Sequence, residues 1–395
     1  MQKKMLILNG SFCEIPLIEA AKEMGYYVIT TGNMPSLIGH SYADAYIPAD
    51  YSDKETILKI VQENHIDCIQ SCANDFGVLT AAYVAEKMGW QGHDSYDTAM
   101  LLHHKDLFKE FTRKHHLPSP ISQSFTDITA AKEYVRAAKY PLIVKANDLT
   151  GGKGILKAEN IAEADFAIDN AFTRSRTGHI VIEPFIVGTQ HTLVTFLINK
   201  KIVSHSSCNC YSPINPYLIQ AETFPADDID TVKDELFGVI EYMAETLDLA
   251  DGIIALQYIK KDGKPYIIET MRRPFGNQFL SLVELTSGFP WHKAQLLAES
   301  GQDCSFLTAK EPAMKYCGHH GIMATRNGIV KSYHIPEHIE KHIFKKIEMI
   351  PSGGEIHDYM NERIAYIYYQ YDNKEEMTNA VKRFNEEIKI GFVEE

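Results

Sequence analysis

Over residues 4–90, short apolar runs alternate with segments of helical periodicity. Met5–Asn9, Tyr27–Thr31 and Ile66–Ser71 read as strands, and Ile15–Met24, Lys54–Asn64 and Phe76–Met88 as helices. Alternation at this spacing predicts a parallel, doubly wound α/β sheet. The turn Asn9-Gly10-Ser11 after the first strand lacks the G-x-G-x-x-G spacing, so no dinucleotide site is expected there. Asn74 and Asp75 fall just past the carboxyl end of a strand, where open sheets bind ligands. They are candidate substrate contacts, with a helix N-cap as the alternative.

The pattern then changes. A helix over His103–Leu117 carries Lys105 and Lys109 one turn apart and ends at Leu117-Pro118-Ser119-Pro120. Helix Ala130–Lys139 leads into Pro141–Ile155, PLIVKANDLTGGKGI. There an apolar, β-branched strand ends on Lys145, and Gly151, Gly152 and Gly154 surround Lys153. Glycines let backbone N–H groups approach anionic oxygens, and lysines supply mobile charge, so the stretch suits a polyphosphate; a plain hairpin with surface lysines is the alternative.

Downstream, Ile161–Phe172 is an amphipathic helix and His179–Glu183 a strand running into Glu183-Pro184-Phe185-Ile186-Val187-Gly188. Thr192–Ile198 and Lys201–Ser206 read as paired strands, Ser207–Pro225 as a long binding or lid loop, and Asp230–Leu247 as a helix. Ile253–Ile259 and Pro265–Glu269 form a hairpin across Lys261-Asp262-Gly263-Lys264. From about Lys310 the runs Gly321–Ala324, Ile329–Lys331 and Arg363–Tyr371, with helix Lys374–Ile388 capped by Asn373, predict a smaller α+β lobe.

At 395 residues the chain exceeds one ordinary core, and three units are expected: 1–98, 99–305 with a lid subdomain at about 120–188, and 306–395. A formal net charge of −13 argues against a nucleic-acid surface. No apolar run reaches bilayer length and the start reads as a strand rather than a secretory signal, so a cytoplasmic protein is expected. The seven cysteines, including the pairs Cys68/Cys72 and Cys208/Cys210, lack the second half of a zinc framework and read as reduced structural thiols.

Lys105, Lys145, the loop Gly151–Gly154, Glu183–Gly188 and the hairpin Gln257–Glu269, in this order, resemble the ATP-grasp superfamily, of carboxylate–amine ligase type. The likeness extends to the group of biotin carboxylase, carboxyaminoimidazole ribonucleotide synthetase and L-amino acid ligase. It implies an ATP-grasp fold behind a doubly wound N-terminal domain. It also implies that Lys105 and Lys145 neutralise the α- and β-phosphates, while Lys153 and its glycines close over the β- and γ-phosphates. Glu183 would accept from the adenine amino group, Phe185 and Ile186 would complete the adenine contacts, and His191 stands where the family places an acid for the ribose. Magnesium, or manganese in its place, would rest on Glu269 and Gln257, since Met271 replaces the usual Asn.

Arg272 and Arg273 are candidate catalytic cations for the substrate carboxylate or the transferring phosphoryl group, with Lys153 beside them, and Asn277 lies in a turn suited to an acyl phosphate. The implied reaction phosphorylates a small-molecule carboxylate with ATP and passes the acyl group to an amine; homodimerisation is common in the resembling enzymes. A bicarbonate-activating, carboxylase-like enzyme and a nucleotide-binding relative without activity are the alternatives.

Overall fold

The computed structural model describes residues 2–71, 73–149, 152–227 and 229–393. The expected α/β alternation forms a parallel sheet from β1 (Lys4–Leu8), β2 (Tyr27–Gly32), β3 (Ala45–Pro48) and β4 (Cys68–Gln70), in the order β3-β2-β1-β4. Helices α1 (Ile15–Glu23), α2 (Lys54–Asn64) and α3 (Asp75–Met88) cover it, because its strands are apolar on both faces and must be buried on both. Cys72, one of the paired cysteines, lies outside the described residues.

The helix expected over 103–117 is α5 (Lys105–Lys114), and a further helix, α4 (Tyr96–His103), precedes it. They part at His104, whose backbone is extended (φ −92°, ψ 120°). The break makes Lys105 the first residue of α5, where the Asp106 amide donates to Asn147 Oδ1 at 2.9 Å. An antiparallel sheet of β5 (Gln123–Phe125), β6 (Leu142–Ala146), β7 (Ile155–Ala158) and β8 (Ile180–Pro184) then folds under α6 (Ile128–Ala137) and α7 (Ile161–Arg174).

The body is an eight-stranded antiparallel sheet. Its strands include β9 (Thr189–Ile198), β10 (Lys201–Tyr211), β11 (Ala221–Phe224), β12 (Gly252–Lys261) and β13 (Lys264–Met271). The later strands are β14 (Tyr316–Ile322), β15 (Gly328–His334), β16 (Ile343–Glu348), β17 (Glu355–Ile356), β18 (Ala365–Tyr371) and β19 (Lys389–Phe392). The order β13-β12-β9-β10-β11-β14-β18-β16 puts β14, β18 and β16 in the same sheet as the hairpin strands. The expected C-terminal lobe therefore shares one hydrogen-bonded sheet with the body.

Strand alternation assigns the faces. Val194, Phe196 and Ala255 pack with Phe279 and Trp291, whereas Leu193, Leu197 and Leu256 pack on the other side with Phe111 and Leu236. Helix α8 (Lys233–Thr246) covers the second face, and α9 (Phe279–Ser287) with α10 (Trp291–Glu299) covers the first. The segment read as the loop Ser207–Pro225 is largely sheet, with only residues 212–220 between β10 and β11. Its polar side chains suggest solvent, but Ser207, Asn209 and Glu222 are buried, with Asn209 bonded to Thr223 and Glu222 to His319 across the sheet.

At the end of β13, Arg272 ties the body to the segment before α4. Its Nε donates to Asp94 Oδ2 at 2.7 Å, Nη1 to the Ile253 carbonyl at 2.7 Å, and Nη2 to the Ala250 carbonyl at 2.7 Å and Asp94 Oδ1 at 3.3 Å. Both side chains are buried. Arg272→Met should lower unfolding free energy by roughly 3–5 kcal/mol, since it leaves Asp94 charged and unpaired inside the protein. Denaturant titration measures this, and a loss near zero would mean that the pair is not a joint.

Candidate functional site

Glu183, near the end of β8, is 1% exposed, accepts a hydrogen bond from one lysine and is ion-paired with a second. Lys145, at the end of β6, pairs with Oε1, and Lys109, on α5, lies 3.1 Å from Oε2. Lys109 also donates to Ser119 Oγ at 2.9 Å and to the Ile267 carbonyl at 3.1 Å. Three segments distant in sequence thus deliver a cation–anion–cation array with one net positive charge. Burial disfavours the Glu183 carboxylate, but Lys109 and Lys145 outweigh it and hold the group below its ordinary range. Burial pushes Lys109 down to about 8 against the pull of Glu183, with Lys145 adding repulsion and Glu269 attraction.

That last influence joins the two ends of the candidate site. Glu269 is the direct cross-strand partner of Gln257, and a register shift beside the pair leaves both on one face. Lys145, Lys109, Glu183 and Glu269 therefore share one electrostatic neighbourhood. Met271, at the third expected metal position, is 3% exposed and belongs to the core. A hard cation would find an amide and a carboxylate here, a donor set that fits magnesium when substrate phosphates complete it.

The sequence reading placed Lys105 in the phosphate cleft and gave no role to Lys109, although it noted that both share a face. Lys109 is the one buried against Glu183, whereas Lys105 Nζ donates to the Leu149 carbonyl at 2.7 Å, at the approach to the glycine turn. The signal available was the apolar pattern around it: Phe108 and Phe111 are buried, so their neighbour on that face must enter the protein. Lys153 is exposed between Gly152 (φ +76°) and Gly154 (φ +67°). A Cβ on Gly152 would meet the Tyr217 carbonyl at 2.5 Å, so this glycine permits close contact with the 212–220 loop. The Tyr217 hydroxyl accepts from the Lys157 amide at 2.8 Å, which makes the loop a brace for the lid. Gly151 lies outside the described residues.

Other expected contacts have different neighbours from those anticipated. The Phe185 amide donates to the Pro141 carbonyl at 3.0 Å and its ring lies 4.5 Å from Lys157 Nζ, with Ile186 half-buried beside it. His191 is 2% exposed, stacked on Tyr258, with Nε2 2.7 Å from Thr189 Oγ1. A ring so enclosed does not suit the ribose contact expected of it. Asn74 is the N-cap of α3, Oδ1 accepting from the Phe76 amide at 3.0 Å, so the alternative reading describes its contact.

Asp75 binds the protein's own cations: Arg273 Nε donates to Oδ1 at 2.5 Å and His103 Nδ1 lies 3.1 Å away. Burial works against this carboxylate, but Arg273 and His103 outweigh it and hold it far below the usual carboxylate range. Arg272, expected to meet substrate, is instead spent on Asp94 and two carbonyls, and its role is structural. Asn277 has φ +65° and follows Arg273 into α9; its Nδ2 lies 2.8 Å from His319 Nε2 and its amide donates to Cys13 Sγ at 3.2 Å. Beside it a small cavity of about 20 Å³ is bounded by Cys13, Glu14, Ala73, Phe275, Gln278 and His292.

A lid sheet and a body sheet that meet at buried lysines form the ATP-grasp fold, and the chain has that fold. Residues 103–215 match the phosphoribosylglycinamide synthetase ATP-grasp (A) domain. The chain superposes over its whole length on the L-amino acid ligase of Bacillus licheniformis, with a TM-score of 0.80, 16% identity and 99% of that chain covered. It superposes likewise on phosphoribosylglycinamide synthetase from Anaerococcus prevotii, with a TM-score of 0.77, 20% identity and 100% of both chains covered. In sequence it is 30% identical over 110 residues to phosphoribosylamine–glycine ligase of Listeria monocytogenes serovar 1/2a, 27% of this chain and 26% of that enzyme. The chain thus spans about a quarter of the length of that curated relative. Among the described residues no helix is long and apolar enough to cross a membrane.

A protonated Lys109 attracts phosphate and a neutral one does not, so affinity for ADP should weaken as pH rises through about 8. Calorimetric titrations on either side of that value measure it. A level affinity would remove Lys109 from the phosphate cleft.

Proposed function

We propose that the protein is an ADP-forming carboxylate–amine ligase, which phosphorylates a small-molecule carboxylate with ATP and passes the acyl group to an amine. The observation that carries this reading is the buried Lys109–Glu183–Lys145 array, two cations about one carboxylate, with Glu269 near enough to act on Lys109. Phosphoryl transfer needs positioning and charge neutralisation more than a covalent group from the protein, and this set supplies them.

In the proposed cycle Lys145 and Lys109 exchange part of their interaction with Glu183 for phosphate oxygens, and Lys105 approaches from the mouth of the cleft. Lys153, on the glycine turn, covers the terminal phosphates and keeps water from the group in transfer. Gln257 and Glu269 would hold magnesium, or manganese, which when bound neutralises phosphate charge. Glu183 through Ile186 forms the wall for adenine. Arg273, aimed by Asp75 and His103, holds the substrate carboxylate or the acyl phosphate beside Asn277. The setting proposed is cytoplasmic, consistent with six free cysteines among the described residues, and the assembly a homodimer.

A second reading, a nucleotide-binding protein without turnover, draws on Gln257 and on the core position of Met271. Phosphate release from ATP with pooled carboxylates and amines separates the two, and release that depends on bicarbonate would instead point to a carboxylase-like enzyme. Lys145→Ala should cost roughly 2–4 kcal/mol in transition-state stabilisation; unchanged turnover would break the phosphate assignment. Gln257→Glu should lower the magnesium concentration needed for half-maximal phosphate release, and an unaltered magnesium curve would place Gln257 outside the metal site.

A further inference from the structure

Two rows of side chains cross the face of the body sheet that carries Glu269. The first runs Glu269–Gln257–Thr192–Cys208 over β13, β12, β9 and β10. The second, two residues along β10, runs Cys210–Glu222–His319 over β10, β11 and β14. Direct cross-strand partners share a face, as do residues i and i+2 of one strand, so Cys208, Cys210, Glu222 and His319 point to the same side.

Their donor atoms converge. Cys208 Sγ lies 3.5 Å and Cys210 Sγ 3.9 Å from Glu222 Oε1, and His319 Nε2 lies 2.7 Å from Glu222 Oε2. The ligand atoms of the two cysteines and Glu222 all fall within 4.8 Å of one another. A tetrahedral site with zinc–sulfur bonds of about 2.3 Å and zinc–nitrogen or zinc–oxygen bonds of about 2.0 Å requires ligand separations of roughly 3.3–3.8 Å. The two cysteines and Glu222 are close to that size; His319 Nε2, at 2.7 Å from Glu222 Oε2, is nearer than that and joins them as the carboxylate draws away toward a metal.

Charge supplies the second argument. Glu222 is 1% exposed and His319 0%. Among the described residues the Glu222 carboxylate is bonded to His319, Cys208 and Cys210, and no lysine or arginine is paired with it. A buried carboxylate calls for a cation or a full set of donors. Thiols are weak donors but, as thiolates, strong ligands for a borderline-soft ion.

We infer that Cys208, Cys210, Glu222 and His319 form a structural site for a divalent transition metal, zinc by donor type, which staples β10, β11 and β14 together. The site is separate from the magnesium position proposed above, which offers only oxygen. It lies at the seam where the C-terminal strands join the hairpin half of the sheet, and a metal there would fasten that seam. Sequence reading alone dismissed these cysteines because a second Cys pair is missing; the carboxylate and imidazole that complete the set come from other strands.

The test uses the full chain, purified under reducing conditions and dialysed against zinc. Mass spectrometry of the metal should find about one zinc per chain. Cobalt in place of zinc should give an intense thiolate-to-cobalt band in the near ultraviolet. The double variant Cys208→Ser, Cys210→Ser should lose both signals, while Glu269→Gln keeps both. Absence of zinc uptake and of the cobalt band in the unaltered chain would overturn the inference and leave a hydrogen-bonded thiol–carboxylate network. Because that result is read on the unaltered chain, misfolding of a variant does not obscure it, and neither signal depends on ligase turnover.

Discussion

Two lysines held by one buried carboxylate set the form of this molecule. Isolated inside the protein, Lys109, Lys145 or Glu183 would be costly, and each is tolerable because the other two are present. The three come from α5, β6 and β8, so their meeting fixes how the lid sheet sits against the helix that precedes it. The array carries one more positive than negative charge and so attracts an anion. A triphosphate suits it better than a single carboxylate, since the low dielectric that makes the lysines expensive also strengthens their pull.

Glu183 in this arrangement is first a counter-ion. The resemblance of the sequence to a family assigns it to adenine, but in the structure both of its oxygens lie against lysines. The same logic applies at Arg273. Its guanidinium is oriented through Nε by Asp75, the first residue of α3, and Asp75 is in turn braced by His103. An arginine held in this way needs little reorganisation to meet an anion, and its anchor belongs to the N-terminal parallel sheet. The N-terminal unit thereby contributes to the candidate site.

What could be read from the sequence follows the range of the forces involved. The α/β alternation, the Lys145 strand and its glycine turn, and the Gln257–Glu269 hairpin depend on local periodicity and turn chemistry, and all are where the pattern puts them. The choice of Lys109 over Lys105 for the interior was legible only in part, through the apolar Phe108 and Phe111 around Lys109; the position of Glu183 decides between them. Arg272 was read as catalytic since adjacent arginines beside a candidate metal hairpin invite it. Its acceptors, Asp94 and the Ala250 and Ile253 carbonyls, become its neighbours only through tertiary packing. The strands hidden in Ser207–Pro225 were missed for a related reason: polar side chains within a sheet look like loop when their partners are far away in sequence.

The continuity of the body sheet has a consequence for how the units act on one another. Were the C-terminal segment a lobe merely packed against the body, a change at β14 would reach Glu269 only through side-chain contacts. Here β14 is hydrogen-bonded to β11, β11 to β10, β10 to β9, β9 to β12 and β12 to β13, an unbroken ladder. Backbone ladders are stiff, and a one-residue slip would turn every side chain to the opposite face. The register that aligns Cys210, Glu222 and His319 is therefore continuous with the one that opposes Gln257 to Glu269. Whatever fixes the sheet at its seam also fixes the position of Glu269, and the C-terminal strands are part of the frame on which the candidate site is built.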